Sequence, residues 1–267
     1  MQKNLSLSID IGGTSAKYAY VTADGKLTGK DSFPTSGLKN LDEFYQHLLP
    51  VIDKAIACGA VNVGLSCPGF IQSDGLCMGG VENLPYLKGV NIPEFLRQHN
   101  PSLKVSIMND GTAAALGEYW LGSGQGSRVL LCITLGTGIG SALILDGRPY
   151  PGSHFQSGEI GYSDYSSSEK YLEINYSTLG ILRRASELTG EQLDGFAFIQ
   201  RIRDNDPCCL RLLEDWTEKL GRILANNILM LDPDRVVIGG GISKQSDILI
   251  PLLEKHTNRQ LPPQYRQ

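Results

Sequence analysis

Three glycine-containing turns carry the residue types in this chain that could bind a phosphate or lie against a flat ring. Each turn follows an apolar stretch: the first contains Asp10, Gly12, Gly13 and Thr14, the second Gly136, Thr137 and Gly138, and the third Gly239, Gly240, Gly241 and Ile242. Glycine has no Cβ and adopts positive φ angles, so backbone N–H groups in such a turn can approach a phosphate closely. The first two turns are also compatible with ordinary hairpins.

The three turns differ in what they could bind. Asp10 supplies a carboxylate that can hold Mg²⁺ directly or through water, because Mg²⁺ prefers oxygen ligands. The second turn has the same form without a carboxylate. In the third turn, backbone without side chains suits the flat ring of an adenosine, although a tight strand-to-helix turn would have the same sequence.

Asn109 and Asp110 are the strongest candidates for acid-base chemistry. They follow an apolar strand and begin an alanine-rich segment typical of a helix. Asp110 could act as a general base that takes a proton from a substrate hydroxyl as that hydroxyl attacks phosphorus, while Asn109 orients the hydroxyl. The pair could instead cap the helix.

Glu159 and Glu173 lie in a polar segment rich in glycine and serine. Two carboxylates that face one site would bind the hydroxyl groups of a polyol well. Solvated loop residues would give the same pattern.

Hydrophobic periodicity predicts the elements that must position these residues. Apolar residues spaced three and four apart give one buried helical face, and alternating apolar residues indicate strands. The predicted helices are 41–57, 110–121, 179–188 and 210–231, and the predicted strands are 5–11, 16–22, 27–33, 61–66, 105–108, 129–134, 139–145 and 235–238.

An internal repeat predicts two domains. The order of apolar strand, glycine turn, apolar strand and Asp-Gly turn begins at residue 5 and returns 124 residues later, with Gly12 facing Gly136. A duplicated α/β fold with a cleft between its halves is the natural interpretation. We expect an N-terminal domain over 1–121 and a C-terminal domain over 122–267, with the boundary near the glycine-rich stretch 122–126.

Composition excludes several classes of function. The chain has 267 residues, with 24 Lys and Arg against 28 Asp and Glu and a net charge of −4, so a nucleic-acid partner is not expected. No apolar run reaches the ~18 residues of a membrane helix. The six cysteines lack the spacing of a disulfide framework, which favours reduced thiols and a cytoplasmic protein. Neither a Walker loop nor a Rossmann glycine motif occurs.

The motifs taken together resemble the ROK family (repressor, open reading frame, kinase) from residue 5 to about 255. Each is weak alone, but eight occur in the family's order: DIGGT at 10–14, PGF at 68–70, ENL at 82–84, NDGTAAALGE at 109–118, TLGTGIG at 134–140, GEIG at 158–161, YLEINYS at 171–177 and VVIGGGIS at 236–243. The resemblance implies the two-domain actin-like ATPase (ribonuclease H-like) fold.

The resemblance also implies a function and a set of roles. The family's kinases phosphorylate sugars with Mg·ATP, so we expect a glucokinase-like enzyme that phosphorylates a primary hydroxyl of a hexose or hexose derivative. Asp110 would be the base, Asp10 would lie near the metal, the two Gly-Thr turns would hold phosphates and the third turn the adenosine. Residues matching the family's sugar ligands are Gly69, Asn83, Asn109, Asp110, Glu159 and Glu173. A homodimer is also implied.

Two departures from the family pattern affect these expectations. Tyr162 stands where zinc-containing members have a histidine that also touches the sugar, which suggests a different or substituted sugar. No cysteine or histidine occurs between His154 and Cys208, so we expect no structural zinc. We also expect the family's usual final strand and long helix to be missing after the third turn.

Two alternatives remain at the level of sequence. One is a sugar-binding sensor without kinase activity and without a DNA-binding domain, since the first motif starts at residue 10. The other is an acyl-phosphate kinase on the same fold, although Asn109, Asp110, Glu159 and Glu173 favour a polyol substrate over a small carboxylate.

Overall fold

The chain folds into two compact α/β units. The computed structural model describes residues 5–163 and 171–265. Unit 1 comprises Met1–Ala113 with Pro151–Gln156, and unit 2 comprises Ala114–Tyr150 with Ser157–Gln267. The division falls between Ala113 and Ala114, inside the helix Asp110–Leu121. The boundary predicted from sequence, between residues 121 and 122, lies at the end of that helix. The α/β class is confirmed.

Unit 1 is built on a mixed five-stranded sheet in the order β3-β2-β1-β4-β7. Strands β1, β2 and β3 pair antiparallel, whereas β1, β4 and β7 run parallel. The carboxyl ends of the three parallel strands therefore meet at one edge of the sheet. The strands are β1 Ser6–Ile11, β2 Ser15–Val21, β3 Leu27–Pro34, β4 Asn62–Cys67 and β7 Lys104–Asn109, with the short pair β5 Phe70–Ile71 and β6 Cys77–Gly79 apart from them.

Helix α1, Leu41–Ala57, supplies much of the core of unit 1. Asn40 caps it, since its side chain accepts a hydrogen bond from the Glu43 amide, and its apolar face buries Phe44 and Leu48. The core also contains Leu7 and Ile9 of β1. Two further helices are α2, Ile92–His99, and α3, Asp110–Leu121, which begins where β7 ends.

Unit 2 has a four-stranded sheet in the order β10-β9-β8-β11. Strands β8 and β9 form an antiparallel hairpin around the second glycine turn, and β11 pairs parallel to β8. The β1–β2 hairpin of unit 1 has the same arrangement with β4, so the sequence repeat is a structural repeat. The strands are β8 Val129–Leu135, β9 Ile139–Leu145, β10 Arg148–Pro149 and β11 Arg235–Gly239.

Helices cover the sheet of unit 2. Helix α7 begins after Asp206, whose carboxylate accepts from the Cys208 and Cys209 amides, and it buries Trp216 completely. The helices are α4 Leu172–Tyr176, α5 Thr178–Thr189, α6 Gly195–Arg203, α7 Pro207–Leu231 and α8 Ser246–Gln260. No helix in the described ranges is long and apolar enough to cross a membrane.

Candidate active site

The first glycine turn is fixed by hydrogen bonds within unit 1. The Gly12 amide donates to the Ser15 carbonyl at 3.1 Å, and the Thr35 hydroxyl donates to the Gly12 carbonyl at 2.5 Å. A Cβ on Gly13 would lie 3.2 Å from the Cβ of Asn83. The structure therefore brings Asn83, a predicted sugar ligand, against the turn predicted to bind phosphate.

Asp10 lies at the carboxyl end of the central strand β1. Its neighbour across the parallel pairing with β4 is Ser66, whose hydroxyl donates to Asp10 Oδ1 at 2.8 Å. The Asp10 side chain is exposed to solvent. An exposed carboxylate at the carboxyl edge of a parallel sheet is well placed to meet a ligand.

Asn109 ends β7 and caps helix α3. Its Oδ1 accepts from the Gly111 amide at 2.8 Å, and its Nδ2 donates to the Gly69 carbonyl at 3.0 Å. Gly69 has φ of 92°, and a Cβ there would collide with the Gly79 carbonyl, so only glycine fits. In this structure the Asn109 amide thus caps the helix and holds the Gly69 backbone in place.

Asp110 follows Asn109 and keeps an exposed face. Its pKa is raised above the usual aspartate range, chiefly because surrounding protein partly desolvates the carboxylate and, to a smaller extent, because Asp10 carries a like charge nearby. A hydrogen bond from the Gly111 amide opposes this shift. A carboxylate that binds a proton more readily than usual is a better general base than an ordinary surface aspartate.

Cys67 lies between the two carboxylates at the end of β4. It is fully buried, and burial, with the nearby Cys77 thiol and the charges of Asp110 and Asp10, raises the pKa of its thiol. The thiolate is therefore disfavoured, and Cys67 acts as a packing residue beneath the site.

In unit 2, Glu173 lies against the second glycine turn. Its Oε2 accepts from the Ile139 amide at 3.3 Å, and a Cβ on Gly138 would lie 2.7 Å from the same oxygen. A Cβ on Gly161 would lie 3.2 Å from it as well. Glu173, predicted as a sugar ligand, thus also organises the backbone of a turn predicted to hold phosphate.

Glu159 precedes a short 3-10 turn, Ile160–Tyr162, and Tyr162 is its last residue. The turn is anchored at its start, because the Ile160 amide donates to Ser141 Oγ at 3.1 Å. The Tyr162 ring is exposed and packs edge-on against Tyr171, with ring centroids 5.1 Å apart. Residues 164–170, part of the segment predicted to lack zinc ligands, lie outside the described residues.

The second and third turns line one groove in unit 2. Strands β8 and β11 are parallel neighbours, so Gly136 and Gly241 follow adjacent strand ends. The Gly136 carbonyl also accepts from the Leu179 amide of α5 at 3.2 Å. The groove has a volume of about 430 Å³ and is lined by both turns and by helices α5 and α6.

Sequence reasoning missed part of the helical side of this groove. Helix α6 was not predicted, and neither Phe196 nor Lys244 was chosen as a site residue, although both line the groove. A signal was present for Phe196: it is an aromatic residue at the start of a short apolar segment that also contains the buried residues Phe198, Ile199 and Ile202.

Comparison with known proteins defines the class of this one. The family model described as "ROK family" matches residues 6–267. The N-acetylgalactosamine kinase AgaK of Shewanella sp. (strain ANA-3) is 31% identical over 91% of this chain and 84% of its own. A beta-glucoside kinase of Listeria monocytogenes is 30% identical over 92% of this chain and 85% of its own. A ROK family protein from Streptococcus pneumoniae, solved with sucrose, is 29% identical with a TM-score of 0.82 over 96% of this chain and 86% of that one.

The chain belongs to the ROK family. The family assignment confirms the predicted actin-like ATPase fold. The relatives confirm the predicted class of enzyme, a sugar kinase.

The donor set in unit 1 fits Mg²⁺ bound together with a substrate phosphate. Among residues 5–163 and 171–265, no group of three or more His, Cys, Asp or Glu side chains could hold a metal ion. Mg²⁺ in kinases is commonly held by one or two carboxylates, with phosphates and water completing its shell. Asp10, exposed and with Oδ1 oriented by Ser66, meets that need.

Proposed function

We propose that the protein is an ATP-dependent kinase that phosphorylates a primary hydroxyl of a hexose or hexose derivative. The observation that carries this proposal is Asp110, whose carboxylate is exposed at the carboxyl edge of a parallel sheet and has a raised pKa. The sugar kinases among its relatives support the same reaction.

The reaction needs a base, a fixed acceptor and a held phosphate. The sugar hydroxyl oxygen forms a bond to the γ-phosphorus of ATP, the bond from that phosphorus to the β–γ bridging oxygen breaks, and ADP leaves. Asp110 accepts the hydroxyl proton. Mg²⁺ bound at Asp10 would neutralise phosphate charge. The amides of the second turn, held by Glu173 and the start of α5, would bind phosphate oxygens.

We infer that the substrate is a sugar with a substituent. The exposed face of Tyr162, packed against Tyr171, offers an aromatic surface for the apolar part of a sugar or its substituent. The relatives include kinases named for N-acetylgalactosamine and for beta-glucosides, which both carry such a group. We therefore expect an N-acetylhexosamine or a β-glucoside to be a better substrate than glucose.

The first experiment is a measurement of ADP release from Mg·ATP with glucose, mannose, N-acetylglucosamine, N-acetylgalactosamine and methyl β-glucoside. We expect at least one sugar to stimulate release, and the same reaction to be lost in Asp110→Asn. If a sugar binds in calorimetry but none stimulates ADP release, the sensor is the correct function and the kinase proposal fails. Light scattering in the same samples would test the implied homodimer.

The raised pKa of Asp110 predicts a shifted pH profile. Asp110 must be ionised to accept a proton, so activity falls as the pH drops through its pKa. Because that pKa is raised, we expect the acid limb of kcat/KM to lie above the ~3.9 of a free aspartate. The measurement is kcat/KM at subsaturating sugar and nucleotide across pH, with sugar binding followed by calorimetry as the control. An acid limb at or below the ordinary aspartate value would contradict this prediction.

A further inference from the structure

One aromatic side chain in unit 2 is exposed where the fold gives it no structural role. Phe196 has 81% of its surface exposed, whereas Phe198, Ile199 and Ile202 of the same helix are buried. Its backbone is fixed, because Asp194 caps α6 by accepting from the Ala197 amide at 2.8 Å. The ring is therefore held at a defined place on the surface without being packed.

That place is the mouth of the groove lined by the second and third turns. Ile199 lies three residues after Phe196, on the same side of α6, and also lines the groove. Leu179 and Leu182 of α5 and Ile242 of the third turn add apolar surface. Isolated exposed apolar residues are ordinary, but this one is continuous with the apolar lining of a cavity.

At Gly241 the third turn contributes backbone without a side chain to the groove. Gly241 lines it, and a Cβ placed there would meet no atom within 4 Å. Open space beside backbone, together with an exposed aromatic ring, suits a flat aromatic ligand better than a branched one. Among the described residues that line the groove, Lys244 is the only ionisable side chain.

Few polar side chains line the groove, and one of them, Gln245, can form a hydrogen bond with the edge of a base. Arg203 Nη2 donates to Gln245 Oε1 at 3.0 Å and to Asp247 Oδ2 at 2.9 Å. Gln245 lines the groove, and its Nε2 can donate a hydrogen bond to a ring nitrogen. One amide donor can serve adenine or guanine, because both purines carry ring-nitrogen acceptors.

We propose that Phe196 stacks on the purine base of the nucleotide and that this stacking, rather than reading of the base edge, provides most of the base recognition. The proposal rests on the proposed function, since it takes the groove as the nucleotide site. Every base has a π-face, so stacking tolerates different bases. The enzyme should consequently use ATP and GTP with affinities within about tenfold of each other, whereas a site that reads hydrogen bonds would separate them far more.

The test is calorimetric binding of ADP, which needs no catalysis. We expect Phe196→Ala to weaken ADP binding by about 5- to 100-fold, because the substitution removes the stacking of one base on an aromatic ring. Phe196→Trp should bind ADP within a few-fold of the unsubstituted protein, and its added tryptophan fluorescence should be quenched by ADP. Pyrophosphate, which has no base, should bind both substituted proteins as it binds the original.

Matched controls separate this role from general effects. Met230→Ala removes an equally exposed apolar side chain, 83% exposed, that does not line the groove, and it should leave ADP binding unchanged. Sugar affinity and melting temperature should be the same in all three variants, because Phe196 is not packed.

Failure of the stacking role of Phe196 and failure of the proposed kinase function give different results in these experiments. If the unsubstituted protein binds ADP and Phe196→Ala binds it equally well, the stacking role is wrong and the kinase proposal stands. If GDP binds more than 100-fold more weakly than ADP, edge reading dominates and the second half of the inference is wrong. If the unsubstituted protein binds a sugar but no ADP, the proposed kinase function fails and the stacking role fails with it.

Discussion

Replacing Asp110 by asparagine is expected to lower kcat by about 10²- to 10⁴-fold, the usual contribution of a general base, while the KM for sugar changes by only a few-fold. Asparagine keeps the size and one acceptor oxygen of the side chain but cannot take the proton of the attacking hydroxyl. Steady-state kinetics with the best sugar of the panel would measure this. An unchanged kcat would show that Asp110 is not the base.

The same substitution should also stabilise the fold. The pKa of Asp110 is raised in the folded protein, so at pH 7 ionisation costs the folded state more than the unfolded state. Asparagine removes that cost, so the melting temperature of the Asp110→Asn variant should exceed that of the original protein at pH 7. The advantage should shrink as the pH falls through the raised pKa of Asp110 and should vanish below the ordinary aspartate value, where the carboxyl is protonated in both states.

A second acidic position provides the control for both effects. Asp146 is a well-exposed carboxylate of unit 2 with only a surface ion pair, 3.5 Å from Arg128. Surface pairs of this kind contribute little to stability. Asp146→Asn should therefore leave kcat and the melting temperature nearly unchanged. Loss of activity in Asp146→Asn as large as in Asp110→Asn would point to a general effect of charge.

Much of the fold could be predicted from sequence because its long elements have strong periodicity. Helix α1 matches the predicted 41–57, and the two glycine hairpins were predicted from apolar strands on either side of each turn. Strands β5 and β6, of two and three residues, are too short for alternation to be visible. Helices α2 and α6, of eight and nine residues, also escaped because each is only about two turns long, too short to establish a helical period.

The candidate site was predictable in residue type but not in contacts. Asn109 followed by Asp110 indicated both a helix cap and a base, and the structure places the cap on Asn109, which leaves Asp110 exposed. The contact of Glu173 with the Ile139 amide joins residues 34 positions apart. No local pattern encodes such a contact, because it depends on how α4 packs against the β8–β9 hairpin.

Two adjacent glycines of the third turn should respond oppositely to alanine. Gly240 has φ of 93°, and a Cβ there would collide with the Leu135 carbonyl, a backbone atom that cannot move aside cheaply. We expect Gly240→Ala to lower the free energy of unfolding by about 1–3 kcal/mol from overpacking, with a further ~1 kcal/mol from the strained backbone. Urea unfolding of the two variants beside the original protein would measure this.

The substitution Gly241→Ala should leave the fold intact and weaken nucleotide binding. A Cβ at Gly241 meets no protein atom within 4 Å, and alanine restricts the unfolded chain, so stability should be unchanged or slightly higher. Because Gly241 lines the groove, the added methyl group occupies space proposed for adenosine, and we expect the KM for ATP to rise about tenfold. The KM for sugar should not change. If Gly241→Ala is stably folded and binds ATP normally, the nucleotide does not approach this backbone. If Gly241→Ala is as unstable as Gly240→Ala, the space beside Gly241 is not open.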